Sequence, residues 1–336
     1  MSSRKDVARE AGVSETTVTN ILNRIKPATK EVEARVFAAA KKLNYHPNVI
    51  AQGLRTKNSR QIGVFISEIG NPYFAEMLHG IEIAAAAAGY VITIILLSDN
   101  IEKKYCDIMS RGFTGIINIS NIPYTDPIMM ELFHSGIALV NFDREHGSIV
   151  YHDMAPGMRT LMRKAYELGH RKAAYIVGYS SDAAELDPRV IAYCEESERL
   201  GFEKHKDMLV YGDFPRRNST TLGYEGAMRV FSQNNDISVL FCINDIGALG
   251  AIRALNELHI RVPDEVSVVG CDNINMSEFF TPPLTTIETF CYARGTEMVK
   301  ALVRRIEGGA PEYILLPCEA VMRESLVPPK KRAPRA

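Results

Sequence analysis

The chain has 336 residues, 46% of them hydrophobic, and a formal net charge of −1, which allows a large core and about two or three domains. Its six cysteines are dispersed, without a CxxC pair or a histidine at metal-ligand spacing, which disfavours a metal centre and favours reduced, buried thiols. The first residues lack the apolar core of a signal peptide. The longest apolar stretch, residues 83–97, is too short for a membrane span and is interpreted as a helix end followed by a buried strand, so we expect a soluble, cytoplasmic protein.

Positive charge is concentrated near the N-terminus. Residues 1–58, which we call the head, contain eleven Lys or Arg and five acidic residues, a net charge of +6. The remainder, which we call the body, carries a net charge of −7. A basic head on an acidic body predicts that only the head contacts a polyanion.

Three short helices are predicted in the head. Gly12 follows the first helix at a turn that needs positive φ, Ser14 can cap the second, and the third begins near Thr29. Apolar residues with helical spacing are Val7, Ala8 and Ala11 in the first helix, Val18, Ile21 and Leu22 in the second, and Val32, Val36, Ala39, Ala40 and Leu43 in the third. Two short helices joined by a glycine-containing turn form a helix-turn-helix unit.

The second helix has a polar outer face of short side chains. Short side chains let a helix backbone approach base edges in a major groove, where Asn20 suits adenine and Glu15 can accept from cytosine. The alternative is an ordinary solvated helix face. The predicted DNA contacts of this region are Ser14, Glu15, Thr16, Thr17, Thr19, Asn20, Asn23, Lys26 and Tyr45.

Residues 47–58 are predicted to form a hinge helix and linker. Asn48 can cap a short helix that is marginal in water by itself and is weakened further by Gly53. This helix displays Leu54, a side chain suited to part a base step in the minor groove while neighbouring cations bind phosphate. An ordinary linker with an exposed leucine is the alternative. The predicted DNA contacts of this segment are Asn48, Gln52, Leu54 and Arg55.

From residue 61 onward, short apolar strands alternate with amphipathic helices, which predicts parallel sheets in an α/β architecture. The predicted strands are residues 62–67, 90–97, 115–119, 137–141, 173–177, 208–211, 238–242 and 266–269. Ligands of such sheets bind beyond the carboxyl ends of the strands, where this chain places SEIGNPYF, NFDR, CIND and GCDN. These polar and aromatic residues predict a two-lobed cleft for a small polar molecule.

Ordered motifs along the whole chain resemble those of the LacI/GalR family of transcription regulators. They are KDVAREAGVSETTVTNILN (5–23), LNYHPNVIAQGLRT (43–56), IGVFISEIGNPYFAEMLHGIE (62–82), ELGHRKAAYIVG (167–178), NDIGALGAIRAL (244–255), VPDEVSVVGCDN (262–273), TPPLTTI (281–287) and RES (323–325). Family members commonly have Ser-Arg where this chain has Thr19–Asn20, so the usual operator half-site is not carried over. They also commonly have Arg-Ser where this chain has Gln52–Gly53, a difference expected either to soften the hinge or to change its phosphate contacts.

The resemblance implies a helix-turn-helix domain and a hinge followed by a periplasmic-binding-protein-like sensor domain. The implied boundaries are 1–46 for the DNA-binding domain, 47–58 for the hinge, 59–330 for the sensor and 329–336 for a disordered basic tail. Within the sensor, lobe 1 spans about 59–157 and 288–316, and lobe 2 spans about 158–287 and 317–328. The resemblance also implies a homodimer formed through helices such as 73–88 and the 273–280 segment. The tail has no leucine heptad of the kind that would join dimers into tetramers.

Effector-binding residues follow from the resemblance position by position. Arg189 matches an arginine that grips the ligand, and Phe214 matches an aromatic residue that stacks on it. Asp153 matches the first residue of a usual Asp-Asn pair, but Met154 replaces its partner. The implied effector-binding residues are Tyr73, Phe74, Asp153, Arg189, Phe214, Asn244 and Asp272. The alternative is that Asn244 and Asp272 cap helices and that Phe214 is a core residue.

The sequence therefore predicts a regulator, and specifically a repressor, that binds a near-palindromic double-stranded DNA operator under control of a small effector. A sugar or sugar derivative is the commonest effector in the family; a purine or a protein co-regulator is the alternative. A cytosolic solute-binding or sugar-processing protein is the alternative from another class. The chain lacks GxxxxGK[ST], GxGxxG, HExxH and GxSxG motifs, so no catalytic residue, metal or cofactor is expected. His170, at the end of a predicted helix, is expected to cap it.

Overall fold

The computed structural model describes residues 2–22, 26–45, 59–97, 108–120, 127–142, 147–203, 208–213, 217–232 and 236–330. Contacts divide the chain into two compact units, Met1–Ser59 and Arg60–Ala336, so the boundary between head and body falls at Ser59. The predicted hinge helix of residues 47–58 and residues 331–336 of the basic tail lie outside the described residues.

The head contains the three predicted helices, α1 (Arg4–Ala11), α2 (Glu15–Leu22) and α3 (Lys30–Lys42). Gly12 ends α1 in the left-handed conformation, with φ of 65°, as the turn chemistry requires. The Ser14 hydroxyl caps α2 by accepting a hydrogen bond from the Thr17 amide at 3.1 Å. Together the helices enclose a small core of Val7, Ala8, Ala11, Val18, Ile21, Val36, Ala39 and Ala40.

The described part of the body alternates helices with strands. The helices are α4 (Pro72–Ala87), α5 (Pro127–His134), α6 (Ala155–Glu167), α7 (Ser181–Ala184), α8 (Pro188–Leu200), α9 (Ser219–Ser232), α10 (Asp245–Glu257) and α11 (Cys291–Ile306), with a 3₁₀ turn at Ser277–Phe279. The strands are β1 (Gln61–Ile66), β2 (Val91–Leu96), β3 (Gly115–Asn118), β4 (Ala138–Val140), β5 (Ile149–Asp153), β6 (Ala173–Ile176), β7 (Leu209–Val210), β8 (Val239–Cys242), β9 (Ser267–Val269), β10 (Thr286–Glu288), β11 (Tyr313–Pro317) and β12 (Glu319–Val321). Within the described ranges, no helix combines the length and apolar character that a membrane crossing requires.

Two parallel sheets organise the body. The first has the strand order β2-β1-β3-β4 and the second has the order β7-β6-β8-β9. Short ribbons accompany them: β5 pairs in parallel with β11, and β10 pairs antiparallel with β12. We call the layers built on the first sheet the first lobe and those built on the second sheet the second lobe.

Within the described residues, the chain passes between the lobes three times. Val150 of β5 and Leu316 of β11 pack with the first-lobe core, whereas Ile287 of β10 and Ala320 of β12 pack with the second-lobe core. The crossings therefore lie after β5, between β10 and α11, and between β11 and β12. This arrangement places the carboxyl ends of both sheets around one cleft.

Helices α4 and α11 pack very closely in the first lobe. A Cβ atom on Gly80 would overlap the carbonyl oxygen of Tyr292, and one on Gly295 would overlap the carbonyl oxygen of Met77. Glycine is required at both positions because the two backbones touch. The close approach fixes the residues next to Gly295 against the start of α4, at the rim of the cleft.

All eight predicted body strands are present, each within one residue at either end. The prediction that the strand after residue 89 is buried was wrong, because β2 lies at the edge of its sheet and leaves Val91, Ile94 and Leu96 exposed. Of the cysteines, Cys242, Cys271, Cys291 and Cys318 are buried free thiols and Cys194 is a half-buried one, as expected. Cys106 lies outside the described residues.

Candidate functional site

The outer face of α2 carries the predicted base-reading residues. Glu15 and Thr16 are exposed, and Thr19 and Asn20 are half-buried on the side opposite the core residues Val18 and Ile21. The Thr19 hydroxyl donates a hydrogen bond to the carbonyl of Glu15 at 2.8 Å. Thr19 therefore offers outward its methyl group and an acceptor oxygen.

The other predicted contacts of the head have mixed surroundings. The Ser14 and Thr17 hydroxyls are hydrogen-bonded to each other at 2.8 Å, so both side chains also stabilise the start of α2. Lys26 is exposed, whereas Tyr45 is half-buried and packs against the head core. Asn23, Asn48, Gln52, Leu54 and Arg55 lie outside the described residues.

The body contains a cleft between the lobes with a volume of about 260 Å³. First-lobe residues of the lining include Tyr73, Phe74 and Arg294, and second-lobe residues include Arg189 and Asp272. Tyr73 and Phe74 lie at the start of α4, which Asn71 caps by accepting from the Tyr73 amide at 3.1 Å. Their rings pack edge to face, with centroids 5.1 Å apart.

On the second-lobe wall, Arg189 is held by an internal carboxylate. Its Nε and Nη2 atoms donate to the Asp187 carboxylate, the shortest contact being 2.6 Å, and its Nη1 donates to the carbonyl of Ile243 at 2.7 Å. Burial alone would raise the pKa of Asp187, but the Arg189 charge and hydrogen bonds outweigh burial and hold that pKa below its usual value. This pair is a buried, charge-neutral unit.

Asn244 caps α10 and also lines the cleft. Its Oδ1 accepts from the Gly247 amide at 2.8 Å, and its Nδ2 donates to the Ser219 hydroxyl at 3.0 Å. The helix-capping alternative is therefore correct for the Asn244 side chain, although this residue still forms part of the cleft wall.

Asp272 follows β9 and points a carboxylate into the cleft without a hydrogen bond from any described residue. It is 7% exposed and has a φ of 121°, an unusual conformation for a residue with a side chain. Burial and then the charge of Asp245 raise the pKa of Asp272 well above its usual value, although Arg189 and Arg294 act in the opposite direction. Asp272 caps no helix, unlike Asn244.

Arg294, on α11, is the main cleft residue that sequence reasoning missed. Its Nη1 donates to the Tyr73 hydroxyl at 2.8 Å and its Nε donates to the carbonyl of Val150 at 3.2 Å. Within the described part of the chain, no carboxylate lies within ion-pairing distance of it. An arginine in the first turn of an amphipathic helix resembles a solvent-exposed residue. The available signal was the adjacent Gly295, where α11 touches α4.

Of the seven residues predicted to bind an effector, the structure brings five together in the cleft. They are Tyr73, Phe74, Arg189, Asn244 and Asp272. Phe214 lies outside the described residues. Among the described residues of the crossing after β5, Met154 lines the cleft and Asp153 does not, so the prediction for Asp153 is not supported. Further polar or aromatic lining residues are Asn71, Asn118, Ser120, Asn141, Tyr151, Tyr179, Asp187, Ser219 and Arg294.

His170 caps the end of α6 through its backbone, because its amide donates to the carbonyl of Ala165 at 3.0 Å, whereas its imidazole contacts other segments. Its Nδ1 is 2.8 Å from the Ser238 hydroxyl and its Nε2 is 2.8 Å from the carbonyl of Val327, so it connects three separate segments of the second lobe. Burial lowers the pKa of His170. Its role is structural because both ring nitrogens are occupied by protein partners.

Comparison with known proteins gives two family matches. Residues 4–48 match the model described as bacterial regulatory proteins, lacI family, and residues 162–326 match the model described as a periplasmic binding protein-like domain. The HTH-type transcriptional repressor PurR of Histophilus somni (strain 2336) is 30% identical over 335 residues, covering 97% of this chain and 99% of the relative. The HTH-type transcriptional repressor PurR of Pasteurella multocida (strain Pm70) is 29% identical with the same coverage.

Solved structures of similar proteins cover most of the chain. The lac repressor dimer bound to operator and the anti-inducer ONPF has a TM-score of 0.81 at 25% identity, covering 97% of this chain and 99% of that chain. The complex of the transcriptional regulator CelR with cellobiose has a TM-score of 0.72 at 25% identity, covering 97% and 100%. A LacI family regulator from Enterococcus faecium with bound ribose has a TM-score of 0.70 at 25% identity, covering 80% and 100%.

A helix-turn-helix head and a two-lobed, periplasmic-binding-protein-like body define a DNA-binding transcription regulator. The relatives that align over the whole chain are transcription regulators rather than enzymes. The chain belongs to the LacI family of bacterial regulatory proteins, as the sequence motifs predicted.

Proposed function

We propose that this protein is a repressor that binds a near-palindromic operator as a homodimer. The observation that carries this proposal is the face of α2, where short polar side chains surround Thr19 and Asn20 on a well-capped helix. The full-length relatives are named repressors, and the similar lac repressor structure is a dimer on its operator. Two symmetry-related copies of α2 would read two half-sites.

The α2 face suggests which bases are read. Asn20 is suited to a bidentate contact with adenine. Because the Thr19 hydroxyl proton is used by the Glu15 carbonyl, Thr19 is suited to an apolar contact with a thymine methyl group. We therefore expect an A·T-containing half-site that differs from the one read by Ser-Arg members of the family.

Selection from random DNA duplexes with the full-length protein at moderate salt tests the proposal. We expect enrichment of a near-palindrome, and Asn20→Ala should weaken binding to it by about 5- to 150-fold while relaxing the preference at one base pair. Asn256→Ala, an exposed substitution on α10 of the body, is the matched control and should leave operator binding unchanged. Absence of any enriched palindrome would refute the repressor proposal.

We further propose that a small polar effector in the cleft controls operator affinity, with a sugar or sugar derivative as the first candidate. Similar regulators have been solved with cellobiose and with ribose. The cleft joins hydrogen-bonding side chains to aromatic rings, which suits a hydroxylated ring with one apolar face. A purine is the second candidate, favoured by the aromatic pair of Tyr73 and Phe74, which suits a planar base.

Thermal-shift and operator-binding measurements with sugars and nucleobases distinguish the two candidates. The true effector should raise the melting temperature and change operator affinity by about 5- to 150-fold. Phe74→Leu should weaken a purine more than a sugar because stacking needs the aromatic face, whereas Phe37→Leu, an exposed position of the head, should change neither. Effector binding that leaves operator affinity unchanged would contradict allosteric control.

A further inference from the structure

Most polar groups of the cleft wall already have protein partners. Arg189 is bound by Asp187 and the Ile243 carbonyl, and Asn244 is bound by Gly247 and Ser219. For two first-lobe amides the oxygen atom is bonded: Asn141 Oδ1 accepts from the Val150 amide at 2.7 Å, and Asn118 Oδ1 accepts from the Ser120 amide at 2.9 Å. Arg189 and Asn244 therefore fix the shape of the second-lobe wall and have little hydrogen-bonding capacity left for a ligand.

Two charged groups are exceptions, and they come from opposite lobes. The Arg294 guanidinium on the first lobe uses Nε and one Nη1 proton, and its Nη2 atom donates to no described residue. The Asp272 carboxylate on the second lobe accepts no hydrogen bond from a described residue and is 7% exposed. The two groups are more than an ion-pair distance apart, so neither satisfies the other.

The electrostatics of these two groups favour a negatively charged ligand on the first-lobe side. Arg189 and Asp187 neutralise each other, whereas Arg294 has no carboxylate within ion-pairing distance among the described residues. Asp272 lies beyond ion-pairing distance of Arg294 and therefore does not neutralise it through a direct ion pair. A partly buried cation without an anion is stabilised by a ligand that brings one.

We propose that the effector is a sugar acid whose carboxylate is held by Arg294 while its hydroxyl groups bond to Asp272 across the cleft. Because Nε is occupied by Val150, the end of the guanidinium formed by Nη1 and Nη2 remains to bind a carboxylate with two parallel hydrogen bonds. A polyhydroxy carboxylate satisfies both unpaired groups at once. It also connects the two lobes, which couples ligand binding to cleft closure.

This proposal rests on the proposed function of the cleft as a site for a sugar derivative, and it specifies the charge of that ligand. Matched pairs of compounds that differ only in the carboxylate test it by isothermal titration calorimetry on the full chain. The pairs are D-glucuronate with D-glucose, D-galacturonate with D-galactose, and D-gluconate with D-glucitol. At least one acid should bind about tenfold or more tightly than its neutral partner.

Variants of the full chain identify the group responsible. Arg294→Gln should abolish the preference for the acid, and Arg294→Lys should retain part of it because the charge remains without the planar fork. Arg304→Gln is the matched control on the same helix, since Arg304 is paired with Glu312 at 2.6 Å and does not line the cleft. It should keep the full preference.

The outcomes separate this proposal from the proposed function. If a neutral sugar binds as tightly as its acid, if none of the six compounds binds, or if Arg294→Gln keeps the preference, the sugar-acid proposal is wrong. Operator selection and its sensitivity to Asn20→Ala are measured without any effector. A failed titration with intact operator recognition would therefore overturn only the assignment of the ligand.

Discussion

The two walls of the cleft differ in how far their polar groups are satisfied by the protein. On the second-lobe wall, Arg189 is enclosed by Asp187 and the Ile243 carbonyl, and Asn244 is bonded on both sides. On the first-lobe wall, Arg294 has no carboxylate in reach within the described chain. Behind that wall, His152 of β5 is fully buried and neither ring nitrogen has a partner among the described residues.

This difference indicates that the two walls have different roles, one structural and one in ligand binding. Polar groups that bind each other hold a wall rigid, whereas unsatisfied ones carry a free-energy cost that a ligand or a conformational change can remove. Asp272 is the exception on the second lobe and faces the same space as Arg294. We infer that the second-lobe wall is mainly structural and that the first-lobe wall, together with Asp272, holds the remaining capacity for a ligand.

The largest expected effect comes from the second-lobe wall. Asp187→Ala should lower the free energy of unfolding of the body by about 3–5 kcal/mol, because it leaves the buried Arg189 charge unpaired. Urea denaturation followed by circular dichroism measures the loss. The double variant Asp187→Ala/Arg189→Met should recover most of it, since no charge is then buried. If Asp187→Ala lowered the free energy of unfolding by less than about 1 kcal/mol, the pair would not have the structural role assigned to it here.

A second, pH-dependent effect is expected behind the first-lobe wall. Burial, aided by the Arg294 charge, lowers the pKa of His152 from 6.5 to about 2. Below pH 6.5 the unfolded chain therefore binds a proton that the folded chain does not, and stability falls as the pH falls. His152→Leu should remove this loss, so its stabilisation relative to wild type should grow by about 2–3 kcal/mol between neutral pH and pH 4.5.

Comparing His152→Leu with wild type across that pH range cancels the other titrating groups. His170→Gln is the comparison variant, because burial lowers the pKa of His170 too but its ring nitrogens are bonded to Ser238 and Val327. It should lose stability at neutral pH, whereas His152→Leu should gain. A difference between His152→Leu and wild type that stays constant with pH would show that folding does not lower the pKa of His152.

The strands and helices were predictable where their pattern is local. Each of the eight predicted strands is an apolar run bounded by turn residues, and the head helices have clear apolar stripes and caps. The strands β5, β10, β11 and β12 were not predicted. β10 and β12 have three residues each and include a charged one, and β5 ends in His152 and Asp153, whereas β11 is an apolar run of five residues that was missed. They form because of partners far along the chain, as in the pairing of Tyr313 with Ile149. Local sequence does not contain that information.

The cleft was predictable where its residues follow strands and match family motifs. Tyr73, Asn244 and Asp272 stand at such strand ends and line the cleft. Arg294 could not be found in this way, because its place in the cleft depends on the close packing of α11 on α4 through Gly80 and Gly295. From sequence alone, a charged residue on a helix is expected to face solvent, and only the tertiary contacts show otherwise.

A smaller effect is expected when a bonded group of the second-lobe wall is removed. Asn244→Ala should destabilise the body by about 1–2 kcal/mol, because the Gly247 amide at the start of α10 loses its capping acceptor. Asn244→Asp should retain most of the stability, since a carboxylate also accepts from that amide and interacts favourably with the helix N-terminus. Urea denaturation measures both. Equal destabilisation by the two variants would assign the effect to the Ser219 hydrogen bond instead.

The smallest effect on stability is expected at Arg294, which makes it the sharpest test of the difference between the walls. Arg294→Gln loses the hydrogen bonds to Tyr73 and Val150 but also removes a half-buried charge that has no carboxylate partner among the described residues. These contributions oppose each other, so the free energy of unfolding should change by about 1 kcal/mol or less. Urea denaturation of Arg294→Gln and Asp187→Ala under the same conditions compares their free energies of unfolding directly. If Arg294→Gln were as destabilising as Asp187→Ala, Arg294 would have a structural role like that of Arg189. The first-lobe wall would then have no unsatisfied charged group for a ligand to bind.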